Sequence, residues 1–174
     1  IGTIIVLYIW LSKRGLQSEW GDIRGGMFLV LAEVASRIAA RFPRHQIAWK
    51  PDLLLPIEDP NTSVGSLLFI RSITYPSGSL FAFTVTDENY NQVKQDLDDA
   101  LLPIKEENIL TTTTVIEDSG FLHGAKLVIQ TLRGGALRPN SIFLTLGSDV
   151  NKDDIINELL TYAAQNDLGA LILR

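Results

Sequence analysis

The chain has no cysteine among its 174 residues, two histidines, and one methionine. Each scarcity removes a class of function. Without cysteine there is no disulfide framework, no thiol nucleophile and no thiolate metal site. The two histidines, His45 and His123, stand in unrelated segments, with no second ligand-type side chain at metal-binding spacing, so no metal site is expected. The glycines form neither G-x-x-x-x-G-K-[ST] nor G-x-G-x-x-G, the turns that cradle phosphates, and no G-x-S-x-G elbow presents a serine nucleophile. Asp96, Asp98 and Asp99 form a carboxylate cluster whose helical spacing predicts a solvated face. No catalytic residue and no cofactor are expected, and the chain does not read as an enzyme.

Positive charge is also scarce over most of the length. Residues 1–50 hold seven Lys/Arg against three Asp/Glu, a surplus of +4, whereas residues 51–174 hold eight against seventeen, a balance of -9. So acidic a body argues against nucleic acid, because lysine and arginine supply most non-specific phosphate affinity. The remaining composition, 46% hydrophobic and 20% charged, is that of a globular domain. At this length folding hides roughly two-thirds of the unfolded surface, enough for a sizeable core.

The amino-terminal run Ile1-Gly2-Thr3-Ile4-Ile5-Val6-Leu7-Tyr8-Ile9-Trp10-Leu11 is followed at once by Ser12-Lys13-Arg14. Eleven residues are fewer than the ~20 that cross a bilayer. The chain starts at Ile rather than Met, which predicts a fragment beginning inside a longer apolar helix. Tyr8 and Trp10 suit the membrane interface and Lys13-Arg14 its cytoplasmic side. The competing expectation is a buried terminal strand or helix. Because the basic residues follow the apolar run, a signal peptide fits poorly.

Gly15 to Gly26 reads as a connector. From Met27 to Phe42 the spacing predicts a helix with one stripe at Met27, Leu31, Val34, Ile38 and Phe42, and a second at Phe28, Ala32, Ala35 and Ala39. Two stripes call for cover on both sides, so Met27, Phe28, Leu31 and Ala35 are interface candidates. Trp20 and Trp49 bracket this helix, each either an interface anchor or a plug at the domain's own edge. Arg24, Arg37, Arg41 and Arg44 suit anionic headgroups or an acidic partner, or form a solvated basic face.

From residue 49 onward strands and helices alternate. Strands are expected at Asp52–Ile57, Leu80–Thr86, Ile109–Ile116, Ser141–Leu146 and Ala170–Leu173. Between them stand helical patterns, carried by Val64, Leu67, Leu68 and Ile70, then Tyr90, Val93, Leu97 and Leu101. Phe121, Ala125, Ile129 and Leu132 follow, and finally Ile156, Leu159, Leu160 and Ala163. Five strands alternating with four helices predict an α/β fold, a three-layer, doubly wound, mostly parallel five-stranded sheet. If the first and fourth strands are neighbours, the loops after them face the place where such sheets bind ligands. Gly147 and Ser148 are the candidate nucleotide contacts there, beside Glu58, Asp59 and Asp149, whose plainer roles are helix capping and dipole pairing.

Taken in order, these segments resemble the carboxy-terminal cytoplasmic domain of the cation–chloride cotransporters. The resemblance is carried by Ile4-Ile5-Val6-Leu7-Tyr8-Ile9, Lys13-Arg14 and Glu19-Trp20-Gly21. It continues with Trp49-Lys50-Pro51 leading into Asp52-Leu53-Leu54-Leu55, and with Gly134-Gly135-Ala136-Leu137-Arg138-Pro139-Asn140 leading into Ser141-Ile142-Phe143-Leu144. It implies a fold like the universal stress proteins and a homodimeric regulatory module on the cytoplasmic face. That module would be joined to its own transmembrane domain through a span preceding residue 12, with the membrane surface near its amino terminus. The transporter would move chloride with sodium and/or potassium. The implied organisation is the end of the last membrane helix at 1–14, a connector and helix at 15–48, and an α/β domain at 49–174 that is the first half of a larger region. The alternative is a nucleotide-binding sensor of stress-protein type. Against it, Gly147-Ser148 runs into Asp149-Val150-Asn151, which departs from that family's glycine-rich run.

Overall fold

The computed structural model describes residues 20–39, 41, 50–58, 64–87, 89–135, 138–146 and 151–173. The chain divides into two units, Ile1–Pro43 and Arg44–Arg174. In the first, helix α1 spans Trp20–Ala39. It starts about two turns before the expected Met27, because Trp20 and Ile23 prolong the apolar spacing toward the amino terminus. Gly25 and Gly26 lie inside it with nothing within 4 Å of where a Cβ would stand. Each weakens the helix by about 1 kcal/mol relative to alanine without breaking it. Among the described residues no helix is long and apolar enough to cross a membrane.

The second unit runs β1 (Asp52–Pro56), α2 (Val64–Thr74), β2 (Ser79–Thr86), α3 (Tyr90–Ala100), α4 (Leu102–Glu106), β3 (Leu110–Glu117), α5 (Phe121–Arg133), β4 (Ser141–Thr145), α6 (Asn151–Gln165) and β5 (Gly169–Leu173). The five strands form one sheet in the order β3-β2-β1-β4-β5, with every pair parallel. The strand expectations hold to within a residue at each end. The short helix α4 was not legible as a separate element. Pro103 starts it, and Ile104 continues the buried spacing of Leu97 and Leu101 into its single turn. Asn108 (φ 60) and Asp167 (φ 58) turn the chain into β3 and β5, in the left-handed region that short polar side chains tolerate.

The strands alternate between two apolar layers because successive side chains point to opposite faces. Leu53, Leu55, Leu80, Ala82 and Phe143 meet Leu67, Ile70, Leu97, Leu101 and Ile104 from α2, α3, the residue linking it to α4, and α4. On the other face Leu54, Phe83, Ile142 and Leu144 meet Ala125, Val128, Ile129, Leu159 and Ala163 from α5 and α6. The result is the α/β sheet with helices on both sides that the alternating pattern predicts. Two close approaches need glycine. A Cβ at Gly78 would stand 2.5 Å from the Pro51 carbonyl, and one at Gly124 would stand 2.7 Å from a Val85 methyl.

Candidate functional site

Polar side chains gather at three places in the second unit. At the amino ends of the strands, Asn140 works as a clamp. Its Nδ2 donates to the Lys50 carbonyl at 2.6 Å, and its Oδ1 accepts from the Asp52 N–H at 3.2 Å. Its own N–H donates to the Asp52 carbonyl at 2.8 Å, while its carbonyl accepts from the Gly169 N–H at 2.9 Å. Asp52 is buried and takes the Ser79 hydroxyl and the Lys50 ammonium, the latter at 3.0 Å. Thus Lys50-Pro51-Asp52 and Pro139-Asn140-Ser141, separate motifs in the sequence, meet as one joint that registers β1 against β4 and β5. Its chemistry is structural: each polar atom of Asn140 is engaged by backbone or by its neighbour Ser141.

At the β3 margin, Asp98 differs from the expected solvated carboxylate. Lys105 donates to its Oδ1 at 2.7 Å, as does the Thr113 hydroxyl, and Lys94 reaches its Oδ2. Burial disfavours its charge, but the hydrogen bonds from Lys105, Lys94 and Thr113 outweigh it and hold the carboxyl far below the usual carboxylate range. The group braces α3, α4 and β3 together. Asp96 accepts from Gln92 on the same helix at 2.8 Å, and Asp99 is exposed.

At the carboxyl ends, Asp118 follows β3. It accepts the Gly120 N–H at 2.8 Å and faces His123 Nδ1 at 2.5 Å. The hydrogen bond from His123, followed by that from Gly120, lowers its carboxyl below the ordinary range. His123 therefore has an acidic partner that sequence spacing did not indicate. The signal was Asp118-Ser119-Gly120 at a helix start, where a carboxylate completes the open N–H groups. Among the described residues no cluster of His, Asp or Glu is arranged to hold a metal. Several hydroxyls that could act as nucleophiles instead bond helix carbonyls: Ser72 to Phe69, Thr131 to Leu127, and Thr161 to Asn157.

β1 pairs with β4, so the carboxyl ends of these two strands meet at the point where the strand order reverses. Gly147 and Ser148 fall outside the described residues. An open depression of about 540 Å³ lies elsewhere, lined by Leu68, Arg71, Ser72, Tyr75 and Glu107. Arg71 and Glu107 bind each other in bidentate fashion, with Nε to Oε2 at 2.7 Å, so its charged groups are mutually satisfied. Of the interface candidates, Trp20 opens α1, and Met27, Phe28, Leu31 and Ala35 follow along it, all four exposed, Phe28 by 62% and Leu31 by 63%. Trp49 lies outside the described residues.

Residues 55–174 match the family described as "Prokaryotic cation-chloride cotransporter, C-terminal domain, 1st". A comparison with curated proteins finds no match. Among solved structures, one described as "Crystal structure of the cytoplasmic domain of a prokaryotic cation chloride cotransporter" is similar with a TM-score of 0.62 and 28% identity. The similarity covers 71% of this chain and 45% of that one. The chain thus spans less than half the length of that solved domain. The match over residues 55–174, more than half of the chain, leads to one conclusion: this chain belongs to the family of prokaryotic cation–chloride cotransporter C-terminal domains.

Proposed function

We propose that the chain is a non-catalytic regulatory and dimerisation module of a secondary transporter that carries chloride with sodium and/or potassium. In this reading residues 1–14 end the last membrane helix, residues 15–48 form the connector and helix, and residues 49–174 are the first half of the cytoplasmic region. The observation that carries it is the family match over residues 55–174 in a chain whose preceding helix, α1, exposes a long apolar run. Met27, Phe28, Leu29, Val30, Leu31, Val34 and Ile38 are each at least 42% exposed. Exposed apolar area on that scale marks an interaction surface. Met27, Leu31, Val34 and Ile38 follow the alternating four-and-three spacing of a helix-pairing seam.

The mechanism is mechanical. Two copies of α1 pair, in the stretch of sequence that links the membrane part to the α/β unit. A shift between two packings at that seam biases transport by the difference in contact energy between them. Sedimentation of residues 1–174 tests the pairing. The mass is expected to rise from one chain to two with concentration, and Leu31→Glu is expected to hold it at one without altering the circular dichroism of the fold. A single-chain mass at every concentration removes the dimer. Chloride uptake by the full-length protein in liposomes, with sodium or potassium as the varied cation, tests the transport half. Uptake indifferent to both cations removes that half.

The adjacency of β1 and β4 favours a second reading, an adenine-nucleotide sensor with Gly147 and Ser148 on the phosphates. Titration calorimetry with ATP and magnesium separates the two. Heat saturating below millimolar nucleotide supports the sensor, and no heat at that level dismisses it.

A further inference from the structure

The two margins of the sheet are built differently. β3 carries Leu-Thr-Thr-Thr-Thr-Val-Ile-Glu, and Lys94, Lys105 and Asp98 crowd around its Thr113. Charges placed so blunt an edge against further pairing. β5 is Gly169-Ala170-Leu171-Ile172-Leu173, with no charge, no proline and no polar side chain. Leu171 is 36% exposed and Ile172 49%. They point to opposite faces, since Leu171 pairs with Phe143 and Ile172 with Leu144, which belong to the two separate apolar layers.

The backbone tells the same story. The Gly169 N–H donates to the Asn140 carbonyl, and the Leu173 carbonyl accepts from the Leu146 N–H. Alternate residues of a strand turn their N–H and C=O to opposite edges. Those of Ala170 and Ile172 therefore point away from β4. An unguarded, aliphatic edge with its hydrogen-bonding groups turned outward is a template for an added strand.

We infer that the outer edge of β5 is a joint within the cytoplasmic region, where a strand from the following part of that region lies alongside Ala170 and Ile172. The occupant is indicated by relatives. The matching family is described as the first part of a C-terminal domain, and more than half of the solved cytoplasmic domain lies outside the matched portion. The inference rests on the reading of this chain as the first half of a larger region. A second copy of this chain is the rival occupant.

Hydrogen exchange resolved at single amides, on the natural full-length protein and on residues 1–174, tests the joint. Intact mass of the full-length protein checks the underlying reading separately, by showing whether chain follows Arg174. The amides of Ala170 and Ile172 are expected to exchange at least about 100-fold more slowly in the full-length protein than in residues 1–174. Those of Gly169 and Leu171, turned toward β4, stay slow in both. Ala170→Pro deletes only an outward-facing donor, which an edge strand tolerates. It is expected to leave the thermal midpoint of residues 1–174 nearly unchanged while restoring fast exchange at Ile172 in the full-length protein. Ile172→Lys, which keeps every backbone group, is expected to do the same at Ala170. Fast exchange at both amides in a full-length protein that continues past Arg174 overturns the joint alone. A natural chain that stops there overturns both the joint and the reading beneath it. Slowing in residues 1–174 that grows with concentration assigns the edge to a second copy and also overturns the proposal.

Discussion

Helices α1 and α5 are both rich in apolar residues, yet they use them in opposite ways. α5 sends Gly124, Ala125, Val128 and Ile129 into the sheet and keeps His123, Gln130 and Thr131 outside. Its exposed flank is laced to α6, where Lys126 meets Glu158 at 2.5 Å and Gln130 meets the Tyr162 hydroxyl. Along α1 every described side chain from Gly25 to Ala39 is exposed. Burial against the sheet accounts for most of the α5 sequence, with Leu127 the exposed apolar exception at 40%. The apolar surplus of α1 contributes little to its own unit, and it is the basis for the association proposed above. The same residue types should therefore report on folding in one helix and on assembly in the other.

The sharpest way to break that contrast is a pair of truncations. Ile129 is 2% exposed, so Ile129→Ala should cost about 2–5 kcal/mol through lost burial and a cavity. Leu31→Ala should change folding stability by no more than about 0.5 kcal/mol while weakening dimerisation. Urea unfolding followed by far-ultraviolet circular dichroism measures the first effect, and sedimentation measures the second. Equal costs in unfolding would erase the distinction between the helices. Next in size is Asn140→Ala, which strips the clamp of its bonds to Lys50 and Asp52. It should cost about 1–3 kcal/mol by leaving partly buried backbone groups unpaired. If its urea midpoint matches that of the unaltered chain, the joint of the two sequence motifs contributes nothing to the fold.

The strands were legible because Leu53-Leu54-Leu55, Phe81-Ala82-Phe83 and Ile142-Phe143-Leu144 are apolar on both faces, the mark of a parallel sheet buried on two sides. Helices α3 and α5 were legible because one face of each is buried on the sheet. What escaped sequence reading was partnership across distance. Asn140 and Lys50 stand 90 residues apart, and nothing local in either motif names the other. Asp98 resembled a solvated acid because its neighbours Asp96 and Asp99 are one. Its brace depends on Lys105 and Thr113, which only the packing of α4 and β3 brings near. The amino-terminal limit of α1 was missed for a different reason: Gly25 and Gly26 argue locally for a connector, and the apolar spacing on both sides of them overrides that preference.

A glycine in each helix sharpens the contrast further, because the two should respond with opposite sign. A Cβ at Gly124 would meet both Val85 methyls at 2.7 and 2.8 Å, with the Ile116 methyl beyond at 3.4 Å. Gly124→Ala must push α5 off the sheet and should cost about 1–3 kcal/mol. At Gly25 nothing lies within 4 Å, so Gly25→Ala should gain up to about 1 kcal/mol of helix stability. Thermal melts of the two variants and the unaltered chain decide the matter. Shifts of the same sign would mean that α1 is as tightly packed at Gly25 as α5 is at Gly124.

Acid gives the smallest effect and separates the two units by their electrostatics. Asp98 and Asp118 both hold their protons less tightly in the fold than in the unfolded chain. A carboxylate whose folded pKa is depressed stabilises the fold above its unfolded value and loses that contribution as pH falls through the folded one. The second unit should thus lose stability progressively below about pH 4, the ordinary carboxylate range. Asp98→Asn removes the Asp98 share and should flatten that slope, although the amide costs some stability at neutral pH by unpairing Lys94 and Lys105. In α1 the corresponding pair, Arg37 with Glu33, is exposed by 71% and 57%. Pairs of that kind contribute little, so helicity of residues 20–39 should vary much less over the same range. Amide exchange at pH 3 and pH 6, read for α3 and α1 separately, measures both. An α3 that is equally protected at the two values would show that the Lys94–Asp98–Lys105 brace does not hold the β3 margin.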